Sequence, residues 1–121
     1  MGGVLYGKFY VTDGKTVEVY DPSTNQWTTK GTGPLVRRYA AATVLWGRLY
    51  LMGGLTWNSV TGWQAVRTTA VYHPLTDKWT TAAQMPTARS NVAASQVDLN
   101  GKPRIEVVGG NAPGNNLQYI P

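Results

Sequence analysis

The chain has 121 residues, 42% of them hydrophobic and 14% charged, with 14 glycines, 7 prolines and no cysteine. These values exclude a disordered tail, a disulfide framework and thiolate chemistry, and they fit an all-β protein with many tight turns. The net charge of +5 comes from basic residues spread along the chain, the pattern of a mildly basic soluble protein rather than of a nucleic-acid or membrane binder. No apolar stretch approaches the length of a membrane span, no signal-peptide pattern opens at Met1, and no compartment is named by the sequence.

Taken in chain order, the predicted elements repeat. The phrase from Val4 to Val11, with Tyr6-Gly7 at its centre, returns from Val44 to Leu51 with Trp46-Gly47 there, at an offset of 40. Next comes Tyr20-Asp21-Pro22 followed by Trp27, which returns as Tyr72-His73-Pro74 followed by Trp79, at an offset of 52. The difference between the offsets predicts an insertion of 12 residues, from about Leu55 to Val66, after Gly53-Gly54. A third, partial unit follows. Arg38-Tyr39-Ala40-Ala41 is echoed from Arg89 onward, Met52-Gly53-Gly54 by Val108-Gly109-Gly110, and Tyr72-His73-Pro74 by Tyr119-Ile120-Pro121. Short β-branched or apolar stretches alternate with turn signals, Asn100-Gly101 suits a tight hairpin, and no segment holds a helical period over ten residues. A fixed period of this length made of short strands marks repeated antiparallel β-units.

The double glycine after the second strand of a unit, the tyrosine of the third strand, the tryptophan about seven residues later and the Arg-x-x-Ala-Ala phrase before the first strand resemble the kelch motif. The resemblance implies an all-β fold: a partial β-propeller of four-stranded antiparallel blades, with strands a to d. It divides the chain into a partial blade at 1–31 (strands b, c and d), a complete blade at 32–84 with its b–c loop insertion at 55–66, and a partial blade at 85–121 (strands a, b and c). It also implies that Tyr20, Trp27, Tyr72 and Trp79 pack between blades. About two and a half blades do not close a ring. The chain is therefore expected to be a segment of a longer protein, the alternative being copies that associate to complete the ring.

In such a blade the d–a and b–c loops share one face. That face would hold Lys15, Lys30, Arg37, Arg38, Arg67 and Arg89 against Asp13, which makes it the more positive one. It would also hold the insertion, whose Trp57 and Trp63 the repeat does not require. Kelch propellers often bind partners with this face, so Arg37, Trp57, Asn58, Trp63 and Arg67 are the candidate partner-binding residues. Because Arg38 and Arg89 match in the repeat, a structural task such as bonding loop carbonyls is expected of them, and Arg37 is the recognition candidate. The competing reading is a longer b–c hairpin whose tryptophans cover neighbouring loops.

No catalytic, metal or cofactor site is expected. His73 is the one histidine and stands in a turn, the aspartates occupy turn positions, and no Gly-Lys-Ser/Thr phosphate loop follows the glycines. The resulting expectation is a scaffold that binds a protein or peptide, acidic by charge complementarity, with carbohydrate as a second ligand class and nucleic acid ranked last. The alternative is a segment of a kelch-type enzyme, a sugar epimerase or copper-radical oxidase, whose active site lies in blades outside this chain.

Overall fold

Three two-residue hairpin turns set the architecture of the computed structural model, which describes residues 1–110 and 116–119 and is built from strands and turns. Tyr6-Gly7, Trp46-Gly47 and Asn100-Gly101 all have positive φ at both positions, between 53° and 76°. This is the mirror-image turn whose twist matches that of antiparallel strands. The first turn joins β1 (Gly2–Leu5) to β2 (Lys8–Thr12), and β3 (Val17–Asp21) and β4 (Gln26–Lys30) complete a four-stranded sheet in sequential order. The second turn joins β5 (Ala41–Leu45) to β6 (Arg48–Met52), which pairs with β9 (Thr69–His73) and then β10 (Lys78–Ala82). Between β6 and β9 the chain makes a separate two-stranded hairpin, β7 (Leu55–Asn58) and β8 (Gly62–Ala65). The third turn joins β11 (Val92–Leu99) to β12 (Lys102–Gly109), and β13 (Asn116–Tyr119) adds a third strand. No helix among the described residues is long and apolar enough to cross a membrane.

These sheets are successive blades of a β-propeller, and their stacking forms the core. Along β6 and β9 alternate side chains point to opposite neighbours, because a strand has a two-residue period. Leu49 and Tyr72 join Leu5, Tyr10, Val17 and Val19 of the first blade in one buried cluster. Tyr50, Met52 and Val71 join Met85, Ile105 and Val107 toward the third blade in another. The central strands of the second blade are thus apolar on both faces, as their sequences Leu49-Tyr50-Leu51-Met52 and Ala70-Val71-Tyr72 require. The double glycine marks a close approach between blades. A Cβ on Gly54 would lie 2.7 Å from the Arg38 carbonyl oxygen, and one on Gly53 would lie 2.5 Å from that of Arg89.

Two expectations change. The first sheet has four strands, not the three assigned to residues 1–31. Gly2–Leu5 is a short strand a, held by pairing Gly2 with Val11 and Leu5 with Lys8. Trp27 is not in the inter-blade core. Its ring stacks on Tyr20 at 5.2 Å, and 54% of the residue is exposed, since among the described residues nothing packs on that face of the first sheet. Its repeat partner Trp79 packs against Tyr72 at 5.3 Å and against the clusters that join the first two blades. The Ile120-Pro121 end of the third repeated phrase lies outside the described residues.

Candidate functional site

The loop leaving β4 builds the candidate face. Its backbone follows the b–c turn of the first blade, where the Arg37 amide donates to the Asp13 carbonyl at 2.7 Å, and then pairs with the inserted hairpin. Arg38 and Leu55 exchange two backbone hydrogen bonds, at 2.7 and 3.0 Å, which fixes the base of β7 against the loop. The Val66 amide returns to the Gly54 carbonyl at 3.0 Å and closes the hairpin. Asp13 ties down the turn beside it by accepting from the Thr16 and Lys15 amides and the Thr16 hydroxyl. Burial opposes ionisation of Asp13, but these hydrogen bonds outweigh it, so the carboxyl stays below the usual aspartate range.

Trp57 and Trp63 are directly opposed across β7 and β8, with ring centroids 5.6 Å apart in an edge-to-face arrangement. The Arg38 guanidinium lies over the Trp63 ring, 4.3 Å from its centroid. Trp63 is half-buried, while Trp57 remains 57% exposed and Val60 at the tip is fully in solvent. Asn58 caps the tip by accepting the Val60 amide at 2.8 Å, which gives it a turn-shaping task. Arg67 is exposed at the foot of β9, and its carbonyl accepts the Met85 amide. The arrangement is an aromatic pair topped by a cation, with further exposed cations at Lys15, Lys30 and Arg67.

Arg37 does not join this group. Only 7% of the residue is exposed, and Nη1 donates to the Gly53 carbonyl at 3.2 Å and the Thr68 carbonyl at 2.8 Å. Arg89, fully buried, does the same in the next blade by donating to the Gly109 carbonyl at 3.0 Å. The structural equivalent of Arg89 is therefore Arg37, at the same offset of 52 that relates the tyrosines and tryptophans. Backbone conformation fixes this register, because Tyr39 and Asn91, also 52 apart, both have φ of 56°. Arg37 is scaffold, its pKa lowered by burial alone, and Arg38 takes its place in the candidate site. The match of Arg38-Tyr39-Ala40-Ala41 with Arg89 onward is off by one residue, because the alanine run begins at Ala40 in one unit and only at Ala93 in the other. The tyrosine and tryptophan offset was the signal that would have corrected it.

His73, expected as a turn residue, ends β9 with Nε2 2.7 Å from the Thr80 hydroxyl. Burial, and then Arg48, lower its pKa, so the ring is neutral at physiological pH. Among the described residues no three His, Cys, Asp or Glu side chains come together as a metal site would require.

Comparison with known proteins gives consistent similarities. The Kelch motif family profile matches residues 37–86. The chain is 36% identical over 99 residues to Kelch-like protein terF of Aspergillus terreus, covering 80% of this chain and 21% of that protein. It is 36% identical over 92 residues to mouse Kelch-like protein 36, covering 74% of this chain and 14% of the relative. The zebrafish Kelch-like protein 15 is 32% identical over 137 aligned positions, covering 90% of this chain and 21% of the relative. The chain thus spans about a fifth or less of the length of these relatives. In fold it resembles the solved structure of YjhT, with a TM-score of 0.75 and 23% identity over 90% of this chain and 33% of that one.

Proposed function

The chain belongs to the kelch-repeat family, and from that premise we propose that it acts as a protein-binding scaffold through its d–a and b–c loop face. The observation that carries the reading is the Arg38–Trp63–Trp57 stack on a hairpin inserted outside the repeat. The blade completes its own sheet without this hairpin, since β6 pairs directly with β9. Trp and Arg supply most of the energy at protein interfaces because they offer large rigid contact area with a polar handle. A loop anchored to a rigid sheet presents them with little entropy left to lose. Exposed Arg38, Arg67, Lys15 and Lys30 favour an acidic partner segment.

The test is a photo-crosslinking amino acid placed at Val60, the most exposed apolar residue of the hairpin. The reading expects a discrete protein adduct that Trp57→Ala and Trp63→Ala each abolish in a folded chain. An adduct of equal yield in both variants contradicts it.

A further inference from the structure

The opposite face, formed by the a–b and c–d turns, carries a second feature that the scaffold does not require. Tyr6 and Trp46 occupy the same position in the a–b turns of adjacent blades, each with φ of 53°. That conformation suits asparagine or glycine and strains an aromatic residue. The third blade uses Asn100 at this position, with φ of 55°, so an aromatic side chain is not needed for the turn. Both rings project into solvent rather than into the core, with Tyr6 59% and Trp46 54% exposed. The Tyr6 hydroxyl reaches across the blade junction to Gly47, ending 2.7 Å from where a Cβ would stand.

Between these turns and the c–d turn of the second blade lies an open cleft of about 260 Å³, lined by Tyr6, Trp46, Arg48, His73 and Leu75 among others. Its apolar rim includes Leu75, which is 80% exposed. Arg48 supplies the fixed charge. It has no carboxylate partner among the described residues, whereas Lys8 on the neighbouring blade is engaged by Asp21 at 3.9 Å. The volume lies below the roughly 300–1,000 Å³ of small-molecule sites and suits one inserted side chain. Tyr, Trp and Arg around a shallow pocket is the composition of a protein hot spot.

We propose that this inter-blade cleft is a second docking site, which takes an acidic peptide segment of a partner protein by inserting an aromatic or large apolar side chain between Tyr6 and Trp46 while a flanking carboxylate pairs with Arg48. The strained aromatics are retained for recognition at the expense of stability. The site acts independently of the hairpin on the other face.

The test is an amide and indole NMR titration of the full chain with Ac-Glu-Phe-Glu-NH2, alongside Ac-Lys-Phe-Lys-NH2, Ac-Glu-Gly-Glu-NH2 and glucuronate. The expected result is saturable shifts at the Trp46 indole, Gly47 and His73 with the first peptide alone. Arg48→Glu should weaken that binding at least about tenfold, the effect of losing one hot-spot residue. Trp46→Asn should abolish it while leaving the melting temperature equal or higher. The indoles of Trp57 and Trp63 report on the other face and should not move. The proposal is overturned by absence of shifts at the cleft, by equal shifts with the lysine or glycine peptide, or by tighter binding of glucuronate. It is also overturned by a Trp46→Asn chain that melts lower and binds as before.

Discussion

Replacing Trp79 and Trp27 by alanine, one at a time, perturbs a single repeat position in two environments. Trp79 sits at the junction of the first two blades, against Tyr72 and beside Gly33, where a Cβ would approach its ring to 2.8 Å. Truncating a fully buried Phe or Trp costs about 3–5 kcal/mol, and the half-buried Trp79 falls around and below the lower end of that range, about 2–4 kcal/mol. Trp27 faces solvent and loses chiefly its contact with Tyr20, about 0.5–1.5 kcal/mol. With a urea dependence of about 2 kcal/mol per molar, Trp79→Ala lowers the unfolding midpoint by roughly 1–2 M and Trp27→Ala by about 0.5 M. Urea titration followed by circular dichroism reads both. Equal shifts, or a larger one for Trp27→Ala, would refute the stacking of the blades described above.

Two further predictions concern the links between blades. Arg37→Ala removes two charge-assisted hydrogen bonds and leaves the Gly53 and Thr68 carbonyls without that donor, a loss of about 2–4 kcal/mol in urea unfolding, whereas Arg38→Ala should change stability by less than about 1 kcal/mol. Asp77 accepts the Tyr72 hydroxyl at 2.6 Å and the Gly31 amide at 3.0 Å, joining the second blade to the loop that leaves the first. The Tyr72 hydroxyl hydrogen bond, opposed by burial and aided by the Gly31 amide, Lys30 and Lys78, lowers its pKa below the unfolded value of 3.8. The stability it contributes is therefore fully present above that value and lost as pH falls through the folded one. Asp77→Asn should keep the fold, since Asn25 holds the equivalent place and accepts the Tyr20 hydroxyl at 2.7 Å. It should also flatten the decline in melting temperature below about pH 4, a change that thermal scans across pH 2–6 would detect.

Much of the fold was legible because its causes are local. Trp46-Gly47 and Asn100-Gly101 announce hairpins, Gly53-Gly54 announces a close approach, and the mismatch of the two offsets locates the hairpin at β7 and β8, whereas Tyr6-Gly7, so near the start of the first repeated phrase, hid the short strand before it. The sequence separates Arg37 from Arg38 only when the offset of 52 that relates Trp27 to Trp79 is carried on to Arg89, and the alanine phrase nearby points the other way. Adjacent arginines at a strand approach point to opposite sides, one into the blade junction and one over Trp63, and the backbone conformation at Tyr39 and Asn91 bears out the register that the offset gives. The exposure of Trp27 was equally hidden, because a repeat position says which face of the blade a residue takes and not what covers that face among the described residues. The strain of the turns at Tyr6 and Trp46 is hidden in the sequence for a related reason. Their residues match each other in the repeat, and the repeat alone treats a matched residue as scaffold.

The central claim is that the inserted hairpin recognises a partner and the repeated residues carry the fold. Replacing residues 55–65 by an Asp-Gly turn, like Asp13-Gly14 in the first blade, tests both halves in one variant. The measurement is the affinity of the excised chain for the partner captured at Val60, read beside its melting temperature. The account predicts a chain that melts within a few degrees of the parent, as a surface change of under about 1 kcal/mol would allow, and that no longer binds. A chain that binds as the parent does, or that cannot fold without the hairpin, would contradict it.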